Sequence, residues 1–250
     1  MDFQIILYIV IFLYGIVIGS FLNVCIYRIP QGEGIVKERS HCMSCGYQLK
    51  WYDLFPVFSY IFLRGKCRKC GAHISVQYPL IEALNGILWV IVWVKLGISI
   101  DSVLICLLVS ALIVLSVIDW RTYEIPFGIN VVIAILGAAR IIADPSDWVG
   151  HIIGMFAVSV PLLIILLASG GRAMGGGDVK LMAAAGLFLG WQNVLVALIF
   201  GCFYGSVIHI IRMRVSGEEH MLAMGPYLSA GIITALLFGK EMIEWYMGFM

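Results

Sequence analysis

Two aspartates are the residues of this chain best placed to do chemistry. Asp119 stands in Ser116-Val117-Ile118-Asp119-Trp120-Arg121-Thr122-Tyr123-Glu124-Ile125-Pro126, and Asp178 in Gly175-Gly176-Gly177-Asp178-Val179-Lys180. Each adjoins an apolar run, where an ionisable side chain is costly and marks a functional candidate. Two carboxylates brought close cannot both ionise cheaply, so the pair would share a proton. The ionised member can then take a proton from water while the protonated member polarises a carbonyl, which is peptide hydrolysis without a covalent intermediate. Gly175, Gly176 and Gly177 would let backbone pass close to the carboxylate and to a bound substrate. A plainer role stays open for each aspartate: a helix-end cap, or a partner for Arg121 or Lys180. Glu82, in Tyr78-Pro79-Leu80-Ile81-Glu82, is either a third polar element of the site or a partner for a nearby cation.

Four cysteines form a second constellation. Cys42-Met43-Ser44-Cys45-Gly46 and Cys67-Arg68-Lys69-Cys70-Gly71 repeat one C-x2-C-G pattern. Such a turn can aim two thiolates at one ion, and the glycine permits the positive φ that it often needs. Two turns supply four thiolates, the usual closed set for structural zinc. Disulfides or free thiols are the alternatives, and a reducing cytoplasmic location argues against stable disulfides. His41 and His73 flank the turns, but four cysteines already fill a tetrahedron. Cys25, Cys106 and Cys202 lie in apolar runs and read as small buried hydrophobes.

The elements that must position these residues are membrane helices. Of 250 residues, 62% are hydrophobic and 12% charged, against roughly 25% charged in soluble domains. The net charge of +1 gives no basis for a nucleic-acid surface. The charge-free run 5–26 follows Asp2, where a signal peptide would be basic, and is long enough to be a retained first span across ~30 Å of hydrocarbon. Further spans are expected at 78–96, 102–118, 126–142, 148–169, 179–189, 194–211 and 223–239, with Gly190-Trp191-Gln192-Asn193 dividing the sixth from the seventh. The expected fold is therefore all-α and polytopic, with about eight transmembrane helices, or seven if that division does not occur. Placing the N-terminus outside puts 13 Lys and Arg, among them Lys37, Arg39 and Arg68, on the inside and leaves Lys95, Arg140 and Lys240 outside, a strong positive-inside bias. Asp119, Asp178 and Glu82 then all lie at the cytoplasmic boundary. Residues 1–27 form the first span, 28–77 a small cytoplasmic four-cysteine loop domain whose folding zinc could drive, and 78–250 the remaining transmembrane core. The pairs Gly15/Gly19, Gly150/Gly154, Gly186/Gly190 and Gly201/Gly205 have the spacing that lets helix backbones approach.

Taken together, these residues resemble the type IV prepilin peptidase family. Gly175-Gly176-Gly177-Asp178 fits its G-x-G-D signature, with Lys180-Leu181 continuing it, and Asp119 precedes Ile125-Pro126 as the first family aspartate precedes its Ile-Pro. The opening Gly19-Ser20-Phe21-Leu22-Asn23-Val24-Cys25-Ile26-Tyr27-Arg28-Ile29-Pro30, the two C-x2-C pairs, Phe55-Pro56-Val57-Phe58-Ser59-Tyr60 and Tyr78-Pro79-Leu80-Ile81-Glu82 follow in the family's order. The resemblance implies an aspartic endopeptidase of the cell membrane that removes the short basic leader from prepilin or pseudopilin precursors, after a glycine, on the cytoplasmic side. It implies Asp119 and Asp178 as the catalytic pair, the four cysteines as zinc ligands, and methylation of the new N-terminus by S-adenosylmethionine, for which no G-x-G-x-x-G fingerprint is present. A proton or cation relay through the three acids would tend to place them near the membrane midplane, not at one boundary. A zinc-loop scaffold would tolerate Asp→Asn at both positions. The presenilin-like intramembrane proteases share the G-x-G-D signature but would not need the cysteine loop.

Overall fold

The computed structural model describes residues 2–36, 40–172, 174–216 and 222–248; Lys37 and Arg39, counted among the inside cations, lie outside them. The described residues are helical, with two isolated β-bridges and no strand. Five helices among them are long and apolar enough to cross a membrane: Gln4–Arg28, Gln77–Leu96, Ile100–Thr122, Pro145–Ala168 and Trp191–Val215. The chain is thus a multi-pass membrane protein, but the expected eight spans are not reached on length and composition. Helices Phe127–Ala143 and Gly176–Leu189 have 17 and 14 residues, short of the ~20 that a hydrocarbon core asks for. Helix Gly225–Met247 carries Lys240, Glu241 and Glu244 toward its end.

The chain divides into two compact units, Met1–Ile98 and Ser99–Met250. In the first, α1 (Asp2–Arg28) packs on α3 (Gln77–Leu96), and the short α2 (Phe58–Phe62) lies in the loop between them. The seam of α1 and α3 is built on small residues. A Cβ on Gly15 would sit 2.7 Å from the Gly86 Cα, and one on Gly19 would sit 2.6 Å from the Glu82 Cα. Contact that close lets the Asn85 amide donate across the seam to the Gly15 carbonyl at 2.7 Å, a polar tie of the kind membrane helices use.

The second unit holds α4 (Ile100–Thr122), α5 (Phe127–Ala143), α6 (Trp148–Ala157), α7 (Ser159–Ala168), α8 (Gly176–Leu189), α9 (Trp191–Ser216) and α10 (Gly225–Met247). Helix α4 is its core: Leu108, Leu112 and Leu115 are fully buried. Glycine again sets the crossings. Gly154 and Gly186 meet backbone to backbone between α6 and α8, and Gly201 faces Gly231 between α9 and α10. The expected division of the long apolar run falls at Gly190, which stands between α8 and α9 at φ +79°. Cys25 and Cys106 are buried as expected, whereas Cys202 is exposed on α9.

One ion pair sets the direction of the helices. Arg140, in the last turn of α5, pairs with Asp101 in the first turn of α4 at 2.7 Å and donates to the Phe188 carbonyl in the last turn of α8 at 2.9 Å. The start of α4 and the end of α8 are therefore neighbours. The end of α4, bearing Asp119, and the start of α8, bearing Asp178, come together at the opposite end.

Candidate active site and metal centre

Local sequence explains how each aspartate reaches that end. Helix α4 stops where Tyr123 turns left-handed at φ +56°, its N–H donating to the Asp119 carbonyl at 2.8 Å. Ile125 and Pro126 then bar the helix from resuming before Phe127, since proline disfavours helical backbone in the residue before it. Asp119 is left in the last turn of α4. Helix α8 opens on the extended Gly175, which places Asp178 in its first turn, where the helix dipole welcomes a carboxylate.

Both carboxylates line one cavity of about 300 Å³. Asp119 is 4% exposed and Asp178 9%, so each is buried except toward that cavity. Gly175, Gly176 and Gly177 form one wall; Tyr123, Glu124, Ile125 and Phe127 form much of another. Gly177 is small for a reason: a Cβ there would lie 3.0 Å from the Ile125 Cβ. Among the described residues neither aspartate forms an ion pair. Lys180 lines the cavity but holds its ammonium over the Phe127 ring, 5.5 Å from the centroid. The plainer role of cation partner thus has no support at Lys180.

One participant escapes sequence reading. The backbone N–H of Gly225 donates to Asp119 Oδ2 at 2.8 Å. Gly225 opens α10, so its N–H is one of the donors that a helix start leaves unpaired. A Cβ on Gly225 would sit 2.7 Å from the same oxygen. The Gly225-Pro226 pair does signal a helix start, but nothing in the sequence points that start at a carboxylate 106 residues away.

The second constellation assembles in the first unit. The Sγ atoms of Cys42, Cys45, Cys67 and Cys70 all lie within 4.8 Å of one another, a cluster that could hold a metal ion. Its two turns are copies. Gly46 N–H donates to the Cys42 carbonyl and Gly71 N–H to the Cys67 carbonyl, both at 2.9 Å, and both glycines have the expected positive φ, +66° and +72°. His41 and His73 stand beside the turns in the isolated bridges and outside the cluster. The backbone N–H groups of Ser44 and Cys45 hold the Cys42 thiol down at about 6. At Cys70 the backbone N–H of Ala72 pulls down, but hydrogen bonds with the other thiols and desolvation outweigh it and push the group up to about 11. Metal binding at such a cluster displaces the protons its thiols still carry.

A buried carboxylate ties the two turns together. Asp53, its side chain 2% exposed, accepts from Arg68 Nε at 2.7 Å and from the Tyr47 hydroxyl and Lys50 N–H at 3.3 Å. Arg68 belongs to the second turn and Tyr47 follows the first. Glu82 also lies in the first unit. Its buried carboxylate accepts the Val57 N–H at 2.7 Å and so fastens the start of α2 to α3.

Comparison with known proteins covers both units. The bacterial peptidase A24 N-terminal domain matches residues 13–96, and the type IV leader peptidase family matches residues 106–210. The chain is 32% identical to the prepilin leader peptidase/N-methyltransferase of Bacillus subtilis (strain 168) over 242 residues, 95% of this chain and 96% of that protein. It is 34% identical to the protein of the same description from Myxococcus xanthus (strain DK1622) over 213 residues, which span 83% of this chain and 64% of the relative. For the Pseudomonas putida relative the figures are 30% over 269 residues, 91% and 89%. No solved structure matches the chain.

Proposed function

Since the chain belongs to the prepilin leader peptidase/N-methyltransferase family, we propose that it cleaves the leader from prepilin-like precursors with Asp119 and Asp178 and then methylates the new N-terminus. The observation that carries the peptidase reading is the single cavity lined by both carboxylates. The ionised member removes a proton from water, and the hydroxide adds to the scissile carbonyl carbon. The protonated member donates to the carbonyl oxygen. Collapse of the tetrahedral adduct breaks the C–N bond, and the amine leaves with a proton from the pair. The Gly225 N–H holds Asp119 in place, and Gly175, Gly176 and Gly177 let an extended backbone run close to the acids. Substrates are membrane-anchored precursors whose cleavage site meets the bundle at helix ends.

Zinc is the proposed ion of the cysteine cluster. Tetrahedral zinc with Zn–S of about 2.3 Å separates its sulfurs by roughly 3.8 Å, and Cys42 and Cys70 are already 3.9 Å apart. S-adenosylmethionine supplies the methyl group. We further read α5, α8 and α10 as completing an eight-helix membrane bundle with the N-terminus outside and the aspartates at the cytoplasmic boundary. The charge asymmetry supports that orientation.

The test is coexpression with a pilin-like precursor. Asp119→Asn and Asp178→Asn should each leave the leader attached, and normal processing by either variant would sink the dyad. Mass measurement of the wild-type product should show one added methyl, and an unmodified terminus with cofactor present would remove the second activity.

A further inference from the structure

Beyond its cysteines, the loop of the first unit carries an unusual concentration of aromatic side chains. Trp51, Tyr52, Phe55, Phe58 and Phe62, together with Arg68, line a cavity of about 270 Å³. The rings are not core. Trp51 and Phe62 are 80% and 83% exposed, and Phe55 is 52% exposed. Apolar surface left this open marks a binding site more often than an accident of packing.

The cavity is also held in shape. Trp51 meets Tyr52 edge to face at 5.5 Å, and Phe55 is tilted against Phe58 at 5.8 Å. The Arg68 guanidinium lies over the Tyr52 ring, 5.0 Å from its centroid. Its Nε is committed to the buried Asp53, which fixes the plane of the group and leaves the two terminal amino groups for a ligand anion. Val57, next to Phe58, has φ +61°, a conformation that β-branched residues rarely adopt. The buried Glu82 holds it there through the Val57 N–H. Strain over-determined by its surroundings in this way clusters at functional sites.

Aromatic faces bind cations and flat heterocycles, and a pinned guanidinium binds a carboxylate. One ligand that the chain's proposed activity requires has all three parts: an adenine ring, a sulfonium cation and an α-carboxylate. We propose that this aromatic cavity is the binding site for S-adenosylmethionine, with the rings of Trp51, Phe58 and Phe62 taking the base and the sulfonium, Ser59 within reach of its hydroxyls, and Arg68 taking the carboxylate. The assignment rests on the methyltransferase reading above. A cavity of this size holds a nucleoside-sized group, not a precursor helix. It also explains the absence of a glycine-rich nucleotide fingerprint, since no phosphate has to be cradled.

The test uses purified full-length protein in detergent, with zinc content measured for every variant. Equilibrium dialysis with radiolabelled S-adenosylmethionine should show about one site per chain. Trp51→Ala and Phe62→Ala each remove an exposed ring and should weaken binding about tenfold, a loss in the range of one stacked or cation–π contact, while zinc content stays at the wild-type level. Trp51→Phe should retain most of the affinity. S-adenosylhomocysteine, which lacks the positive charge, should bind the wild type more weakly, and the alanine variants should lose that preference. Ultraviolet crosslinking of the labelled cofactor to the wild-type chain should place the label between residues 51 and 62. Wild-type affinity in both alanine variants, or a label elsewhere, overturns the site while leaving the methyltransferase reading intact. A wild-type chain that neither binds the cofactor nor yields methylated product overturns that reading and the site with it.

Discussion

At Asp119 the Gly225 N–H satisfies one carboxylate oxygen from a helix start, while the helix that carries Asp119 is ending and offers it no dipolar support. The carboxylate thus borrows from α10 what α4 cannot give. Gly225→Ala would push a methyl group against Asp119 Oδ2. We expect leader cleavage to fall at least about tenfold, the scale of a displaced or unpaired catalytic group, with the detergent-solubilised melting temperature little changed; a steady-state cleavage assay decides it. At Asp53 the balance is also calculable in sign. Burial raises its carboxyl, but the hydrogen bond from Arg68, the Lys50 N–H and the Tyr47 hydroxyl outweigh it and hold the group below its ordinary value. A carboxyl lowered by folding stabilises the folded loop above the usual carboxylate range, and that share is lost as pH falls through the lowered value. Among the described residues Asp53 bonds to no cysteine but ties together the two turns that carry the thiols, so Asp53→Asn should weaken zinc binding severalfold at neutral pH. Competition with a metal indicator should show the gap between variant and wild type closing in acid.

One helix end and two helix starts make the proposed peptidase site, and how much of that was legible depends on range. The left-handed stop after Asp119, the glycine entry to Asp178 and the break at Gly190 are local, and residue types announce them. Gly15 and Gly19 announced a close seam by their spacing, but their partners Gly86 and Glu82 follow only from the pairing of α1 with α3. The same holds for Gly201 with Gly231. The span count is legible only in part: α5 and α8 are apolar but have 17 and 14 residues, so length and composition alone reach five spans and leave the other three to the proposed bundle. Glu82 shows a similar limit. From sequence it is a polar residue near the start of a span; in the fold it clamps α2 to α3 through Val57. We propose that it also contributes charge toward a basic leader. Glu82→Gln keeps an acceptor for the Val57 N–H and removes the charge, so KM for a precursor should rise severalfold with kcat unchanged. An unchanged KM would leave Glu82 with anchoring alone.

Over the whole molecule the two constellations fall in different compact units: all four thiols precede Ile98, and both aspartates follow Ser99. Chelation should therefore separate the activities. Stripping the metal with a strong chelator should abolish S-adenosylmethionine binding and product methylation while leader cleavage keeps most of its rate, measured side by side on one preparation; equal loss of both would refute the separation. The placement of the dyad at helix ends has a consequence for supply. Hydrolysis consumes one water for each bond cut, and hydrocarbon holds almost none. An aspartate pair at mid-span would need a hydrated pore, with the leak that a pore brings. Here the cavity wall includes the exposed Tyr123 and Glu124 in the connection after α4, which would open the proposed dyad to water at the end of the bundle. With the dyad at the proposed cytoplasmic boundary, its reactant would arrive from the aqueous phase without a pore through the bundle.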